Sequence, residues 1–158
     1  MALKDIKDIE VGDIVRSYNV ETGNLTSNAV TEVIQKETTL WIDLTLEGNQ
    51  ILTASRSSLF WTEKKNRDED VPYIRDIYGL QFREANLLAH GDKVLNKDGV
   101  WLKLMQRSFE SHEGPRYGNS EPIYGIMVAN DHNYFADGIL VSDGPDGLLE
   151  DTMIDIIL

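Results

Sequence analysis

The 158-residue chain contains no cysteine. It therefore has no disulfide framework, no thiolate metal site and no cysteine nucleophile. No run approaches the roughly 18 apolar residues that a membrane-spanning helix needs, and residues 1–10 hold no apolar segment of signal-peptide length. We expect a cytoplasmic protein with no membrane partner.

Basic residues are in short supply. The chain has 15 lysines and arginines against 27 acidic residues, which gives a formal net charge of −12. The mean electrostatic field around such a molecule repels phosphate backbones. The one dense basic stretch, residues 64–67, is followed at once by the acidic residues 68–70. The composition therefore predicts no nucleic-acid partner.

Histidine is scarce as well, with only His90, His112 and His132. None of the three has a second ligand at the spacing typical of a metal site, so we interpret each as locally hydrogen-bonded. The acidic residues between 143 and 151 lack the register of a calcium loop. Phosphate-binding, dinucleotide-binding, hydrolase and zinc-protease motifs are absent. The sequence predicts no metal and no cofactor.

The residues that are present predict an all-β domain. Hydrophobic residues make up 41% of the chain and charged residues 27%, which is typical of one soluble globular domain. Short β-prone runs alternate with turn signals such as Gly-Asn and Asp-Gly; the runs are residues 30–34, 40–46, 50–53, 100–105, 123–128 and 134–136. The best helix candidate is residues 82–88. Residues 62–76 are the most charged stretch and predict a long exposed insertion.

A weak internal repeat indicates two similar halves. The segment Ile9–Val15 is echoed by Leu88–Val94, each with a Gly-Asp pair that leads into a β-prone run. A hairpin candidate follows each copy, at residues 40–53 and 123–136. If each hairpin reaches across to the other half, most of the exposed sheet edge is closed.

Four stretches in this order resemble the Hint domain, the fold shared by inteins, hedgehog autoprocessing domains and bacterial intein-like modules. They are residues 6–15, 51–56, 85–94 and 123–143, and the last is the most specific, with His-Asn-Tyr-Phe followed by Gly-Ile-Leu-Val. The resemblance implies a Hint-type pseudo-twofold β-fold with at most one or two short helices. It predicts a domain over residues 1–143 and an apolar tail over residues 144–158.

The same resemblance implies that self-splicing has been lost. Gly12 lies too near Met1 to leave room for the family's first strand and its nucleophile. Arg56 stands where the family has the histidine of Thr-x-x-His, and arginine cannot shuttle a proton at neutral pH. Ser142-Asp143 replaces the closing His-Asn. His132 is retained from the closing motif, and we expect it to have no partner for acid–base work. The protein is therefore predicted not to be an enzyme.

The tail is too apolar for a free end of the chain. Its large apolar side chains are Leu148, Leu149, Met153, Ile154, Ile156, Ile157 and Leu158. One interpretation is that they pack back on the barrel, in the space that the missing first strand leaves. The other is that they bind a protein partner, since exposed apolar ends are association sites.

Two functional hypotheses follow from the sequence. The leading one is a non-enzymatic Hint-fold structural or interaction module with a protein partner, a small virion or assembly-associated protein if the gene belongs to a phage. The alternative is an autoprocessing domain with residual cleavage at Asp143-Gly144. A third hypothesis, anion binding through Arg56 or Arg83, is supported only by isolated basic residues with no motif around them.

Overall fold

A computed structural model describes residues 2–38, 40–64, 79–111, 121–144, 148–150 and 152–157. Within these ranges the chain forms one antiparallel sheet of thirteen strands and two short 3-10 helices, Ile6–Asp8 and Ala85–Leu87. The strands are β1 Ala2–Asp5, β2 Ile14–Asn19, β3 Asn24–Thr38, β4 Leu40–Leu46, β5 Gln50–Ala54, β6 Leu59–Lys64, β7 Gly79–Glu84, β8 Lys93–Leu95, β9 Trp101–Ser111, β10 Glu121–Val128, β11 Asn133–Ala136, β12 Ile139–Ser142 and β13 Met153–Ile157. The all-β prediction is confirmed. Among the described residues, no helix is long and apolar enough to cross a membrane.

The sheet is symmetric about its central hairpin. Its strand order is β10-β3-β2-β13-β11-β12-β6-β8-β9-β4-β5, with β1 added beside β13 and β7 beside β6. Reading outward from β11 and β12, four strands on each side match: β13 and β6, β2 and β8, β3 and β9, β10 and β4. Strand β5, beyond β4, has no counterpart on the other side among the described strands. This is the pair of similar halves that the sequence repeat predicts.

The two Gly-Asp elements have the same internal hydrogen bonds. In the first, Glu10 N–H donates to Asp13 Oδ2 at 2.9 Å, and Asp13 N–H donates to the Glu10 carbonyl at 3.0 Å. In the second, Ala89 N–H donates to Asp92 Oδ2 at 2.9 Å, and Asp92 N–H donates to the Ala89 carbonyl at 3.0 Å. The aspartate of the repeat closes each turn by capping the residue three positions before it.

The glycine of each pair has one conformation in both halves. Gly12 has φ +98° and Gly91 has φ +92°, a region that favours glycine. Gly12 N–H donates to the Val30 carbonyl and Gly91 N–H to the Leu104 carbonyl, both at 2.9 Å. The repeat therefore specifies the same turn twice.

We predict that Gly12→Ala and Gly91→Ala destabilise the fold equally, by about 1–2 kcal/mol each, the usual cost of left-handed backbone for a residue with a Cβ. An added Cβ would meet no atom within 4 Å at either position, so the cost is purely conformational. Denaturant unfolding measures it. Gly12→Asn is the control, because asparagine tolerates this region and should cost less. Unequal costs for the two alanine variants would contradict the equivalence of the halves.

Each half is also completed by a strand from the other half. β4 pairs with β9 and β10 pairs with β3, and these interfaces carry register shifts at equivalent places, Thr45/Leu46 and Met127/Val128. The first predicted hairpin, β4 with β5, therefore forms and reaches across to β9. The second, over residues 123–136, does not form: β10 reaches across to β3, but β11 pairs with β12 and β13 instead. Inward residues alternate along β4, where Ile42, Leu44 and Leu46 are 0%, 1% and 1% exposed.

The predicted helix is wrong. We expected a helix over residues 82–88, but Phe82 to Glu84 belong to β7 and only Ala85–Leu87 form a single 3-10 turn. The run is too short to stabilise a helix by itself, and pairing with β6 satisfies its backbone from Gly79 to Glu84. Most of the predicted insertion over residues 62–76, and His112, lie outside the described residues.

The tail forms strand β13 inside the sheet. β13 pairs with β1 on one side and with β2 and β11 on the other. The predicted partner-binding side chains Leu148, Leu149, Ile154 and Ile156 are 2%, 0%, 0% and 8% exposed. Met153 is 38% exposed, Ile157 is half-buried, and Leu158 lies outside the described residues.

In this position the tail packs back on the domain, which is one of the two interpretations that the sequence left open. Leu149, Ile154 and Ile156 pack in the same core as side chains from strands of both halves. A partner could reach them only if β13 left the sheet. Strand β1, which pairs with β13, was not predicted from the sequence.

Candidate functional site

The residues of the closing motif meet in the loop between β10 and β11. Asn130 and His132 both have positive φ, +63° and +54°, which is uncommon outside glycine and requires support from the surrounding structure. The loop's Asp131 lies between them. The loop is therefore held in a defined shape rather than left as a simple turn.

A network of polar side chains supplies that support. Asp131 Oδ2 accepts hydrogen bonds from Thr26 Oγ1 at 2.5 Å and from Asn28 Nδ2 at 2.8 Å. Asn28 Oδ1 in turn accepts from Asn130 Nδ2 at 2.9 Å. All of these contacts tie the loop to strand β3.

Asn133 anchors the other end of the loop to strand β2. It is fully buried, and its Nδ2 donates to the carbonyls of Tyr18 at 2.8 Å and Asp131 at 3.1 Å. Its Oδ1 accepts from Tyr18 N–H at 2.8 Å, and its carbonyl accepts from Ser17 Oγ at 3.0 Å. Every polar group of this side chain has a partner, so the asparagine is a structural anchor. The closing motif contains Asn133, but its residue pattern does not indicate this role.

His132 has a partner, contrary to the prediction from the sequence. Its Nδ1 lies 3.1 Å from Asp143 Oδ2, and the Asp143 N–H donates to the His132 carbonyl at 2.9 Å. The expectation that His132 has no partner for acid–base work overlooked Asp143, because Asp143 lies eleven positions further along the chain and only the pairing of β11 with β12 brings the two together.

The two members of this pair differ in their environment. The Asp143 side chain is 6% exposed and the His132 side chain 64%. Asp143 Oδ2 also accepts from Val128 N–H at 2.8 Å, so the carboxylate is fixed by the backbone. The imidazole therefore projects toward solvent from a carboxylate that the backbone holds in place.

Ser142 and Tyr134 flank this pair. The Ser142 hydroxyl donates to the Asp143 carbonyl at 3.1 Å and to the His132 carbonyl at 3.5 Å, so its partners are backbone oxygens and not the imidazole. Tyr134 is fully buried. Burial, with a smaller contribution from the Asp143 charge, raises the pKa of its phenol well above the usual value. Tyr134 therefore stays neutral and supplies no base.

Arg56 lies in the turn between β5 and β6. Its carbonyl accepts from Asn86 N–H at 3.0 Å, and it is partly buried. In the same motif, Thr53 Oγ1 donates to Asp43 Oδ1 at 2.5 Å. The turn is thus attached to the second half through Asn86 and to strand β4 through Asp43.

Two serines of this turn hold the backbone of Leu148. Ser55 N–H and Ser58 Oγ both donate to the Leu148 carbonyl at 2.8 Å, and Ser55 Oγ accepts from Leu148 N–H at 3.2 Å. Glu150 N–H then donates to the Thr53 carbonyl at 3.1 Å. Leu148 and Glu150 therefore lie against the Thr53–Ser58 turn.

The candidate site has few groups for chemistry. Among the described residues, no three histidine, aspartate or glutamate side chains converge on a point that could hold a metal ion. The structure brings Ser142, Asp143 and His132 together at the end of β12, and it places Arg56 in the separate turn that holds Leu148. The buried tail residues complete the core next to that turn.

Comparison with known proteins agrees with this fold. No family model and no curated protein matches the chain. Among solved structures, a bacterial intein-like domain from Clostridium thermocellum superposes with a TM-score of 0.65 at 22% identity, covering 95% of this chain and 86% of that one. A DnaB intein from Synechocystis sp. PCC 6803 gives 0.67 at 18% identity, with 88% and 85% covered. The gp41-1 intein gives 0.61 at 21% identity, with 87% and 85% covered. The chain therefore has the Hint-type fold of inteins.

Proposed function

We propose that this protein is a non-enzymatic Hint-fold module that acts through protein–protein interaction, with its self-splicing activity lost. The observation that carries the proposal is the burial of the segment after Asp143. A self-processing module releases the segment beyond its closing residue. Here that segment supplies Leu149 and Ile154 to the core, both 0% exposed, so its release would remove a central strand.

The side chains at the motif positions support the same conclusion. Arg56 stands where the family has a histidine, and an arginine side chain does not cycle a proton as a general acid does. Asp143 has no side-chain amide nitrogen, so it cannot cyclise as the family's asparagine does. Ser142 directs its hydroxyl to backbone carbonyls. Each substitution removes a different step of the reaction that the fold suggests.

The proposed partner is a protein, and a component of a virion or similar assembly if the gene belongs to a phage. The formal charge of −12 disfavours a nucleic-acid partner. Exposed apolar side chains such as Leu25, Val33 and Ile51, at 48%, 47% and 58% exposure, are available for contact. Co-sedimentation of the tagged chain with virions, or with the similar assembly, from the organism or phage that encodes it tests this part of the proposal. A chain that stays in the supernatant contradicts it.

We predict that the purified full chain keeps one intact mass for days at 25 °C and neutral pH. The measurement is intact-mass spectrometry over time, with the sample also run after addition of a strong nucleophile such as hydroxylamine, which traps an activated acyl group. A stable single mass in both conditions supports the proposal. Accumulation of a species that ends at Asp143 contradicts it.

The pairing of His132 with Asp143 favours residual cleavage at Asp143-Gly144 as the second candidate function. In such a cleavage the Asp143 carboxylate attacks its own backbone carbonyl to form an anhydride, the bond to the Gly144 nitrogen breaks, and water then opens the anhydride. His132, whose Nδ1 lies 3.1 Å from the carboxylate, would be the group that passes a proton to the departing nitrogen. If such cleavage occurs, Asp143→Ala and His132→Ala should abolish it. Ser142→Ala is the matched control, because that hydroxyl contacts only backbone oxygens. Cleavage that persists in Asp143→Ala would be ordinary chain degradation elsewhere.

A further inference from the structure

Strand β13 occupies the place in the first half that strand β6 occupies in the second. β6 pairs with β7 on one side and with β8 on the other, and β13 pairs with β1 on one side and with β2 on the other. In the second half these strands follow one another along the chain in the order β6, β7, β8. In the first half the order is broken, because β13 comes after β12 although β1 and β2 precede all the other strands.

The equivalence holds residue by residue. Leu59 of β6 pairs with Glu84, and Met153 of β13 pairs with Asp5. Thr62 of β6 faces Val94 on its other side, and Ile156 of β13 faces Val15. Val15 and Val94 are corresponding residues of the two Gly-Asp elements.

The start of each 3-10 turn repeats this match. Ala85 N–H donates to the Ser58 carbonyl at 2.8 Å, and Ile6 N–H donates to the Thr152 carbonyl, also at 2.8 Å. Ser58 directly precedes β6 and Thr152 directly precedes β13. Chance packing of an apolar tail would not reproduce both the pairing register and this flanking hydrogen bond.

We infer that the chain is a circular permutation of a two-half domain, with the permutation point at residues 144–147, beside the candidate site. In the unpermuted order, β13 opens the first half and forms a hairpin with β1. The two strands already have the arrangement of a hairpin, because Ile156 and Ala2 are direct antiparallel partners. Paired residues of this kind lie about 5 Å apart. Only Ile157, Leu158 and Met1 separate them once the ends are joined, which is an ordinary hairpin loop length.

The permutation point places one end of the unpermuted chain at the candidate site. In the unpermuted order the chain would end at Asp143, which His132 contacts, and would begin near Leu148, whose carbonyl the Ser55–Ser58 turn holds. One end of the module thus lies at Asp143 and the other at the Ser55–Ser58 turn, and residues 144–147 join them along the chain. This inference rests on strand order, pairing register and the flanking hydrogen bonds, and it does not depend on the proposed function.

The experiment is a pair of rearranged full chains. In both, Leu158 is joined to Met1 through Asn-Gly. The first chain is opened between Pro145 and Asp146, which restores the tandem order. The matched control is opened between Thr22 and Gly23, which divides the β2–β3 hairpin and its six paired positions. Thermal unfolding followed by near-ultraviolet circular dichroism compares both with the parent.

We expect the first chain to keep the parent's melting temperature within about 5 °C, a shift that corresponds to roughly 1–2 kcal/mol in a domain of this size. The control should melt more than about 5 °C lower, since a local hairpin has become a long-range pairing. A first chain that is unfolded, or less stable than the control, overturns the inference. Amide hydrogen exchange should also show β1 and β13 protected in the first chain as in the parent; loss of that protection likewise overturns it.

Discussion

Replacing Ile154 with alanine is expected to lower the free energy of unfolding by about 3 kcal/mol, within the usual range for truncating a buried isoleucine. Ile154 is 0% exposed and lies between Lys4 of β1 and Ala136 of β11. Strands on both sides would have to move to fill the cavity, so little relaxation is available. Denaturant unfolding measures the change.

Met153 provides the matched control for this variant. It neighbours Ile154 on the same strand and is 38% exposed, so Met153→Ala should change the free energy of unfolding by about 0.5 kcal/mol or less. If both alanine variants have small effects, β13 does not contribute to the core and its side chains are free for another partner. A large loss confined to Ile154→Ala shows that the strand is a permanent part of the domain.

Changing Asn133 to aspartate is expected to destabilise the protein by about 3 kcal/mol or more, the scale of a buried charge left without compensation. The side chain is 0% exposed. The new oxygen would face the carbonyls of Tyr18 and Asp131, where Nδ2 now donates two hydrogen bonds. The carboxylate oxygen and the two carbonyl oxygens would then face one another, three acceptors with no donor hydrogen between them.

Acid should partly reverse the effect of this variant. A protonated aspartic acid can donate one hydrogen bond, so its folded-state pKa at this position is raised above the unfolded value. The cost is then full above the folded-state pKa and shrinks as the pH falls below it. Denaturant unfolding at pH 7 and at pH 4 compares the two states. A loss that does not change with pH would show that packing, rather than charge, causes it.

Asn96→Asp tests whether the chemistry of the substitution alone is harmful. Asn96 Oδ1 accepts from Asp98 N–H and Val100 N–H, both at 2.9 Å, in an exposed turn. An aspartate oxygen accepts equally well, so the free energy of unfolding should change by about 0.5 kcal/mol or less. The same exchange is thus harmless where the amide only accepts, and damaging where it must also donate.

The Gly-Asp repeat and the alternation of apolar and polar residues predicted much of the fold. The two Gly-Asp elements, at Gly12 and Gly91, are local in sequence, and each encodes its own turn through a positive-φ glycine and a capping aspartate. Alternation along β4 indicated which residues face inward. Residues 82–88 were misinterpreted because a short apolar spacing fits a helix and a paired strand equally well, and pairing with β6 decides between them.

The candidate site could be predicted only in part. The motif positions Arg56, Ser142, Asp143 and His132 were identified by their order along the chain. Their contacts could not be, because His132 reaches Asp143 only through the β11–β12 pairing. The polar network around Asp131 and Asn133 was also missed, since nothing in the local sequence shows that Thr26 and Tyr18 lie against that loop.

By itself the sequence determined the all-β class and the two halves, and the absence of cysteine excluded thiolate chemistry. These conclusions follow from composition and from patterns shorter than a single hairpin. Only the tertiary structure decided the position of the apolar segment from Leu148 to Ile157. Its hydrophobicity suits a core strand and a partner-binding tail alike, since burial of apolar area is non-directional. Backbone pairing with β1, β2 and β11 is directional, and it is this pairing that places the segment inside the domain.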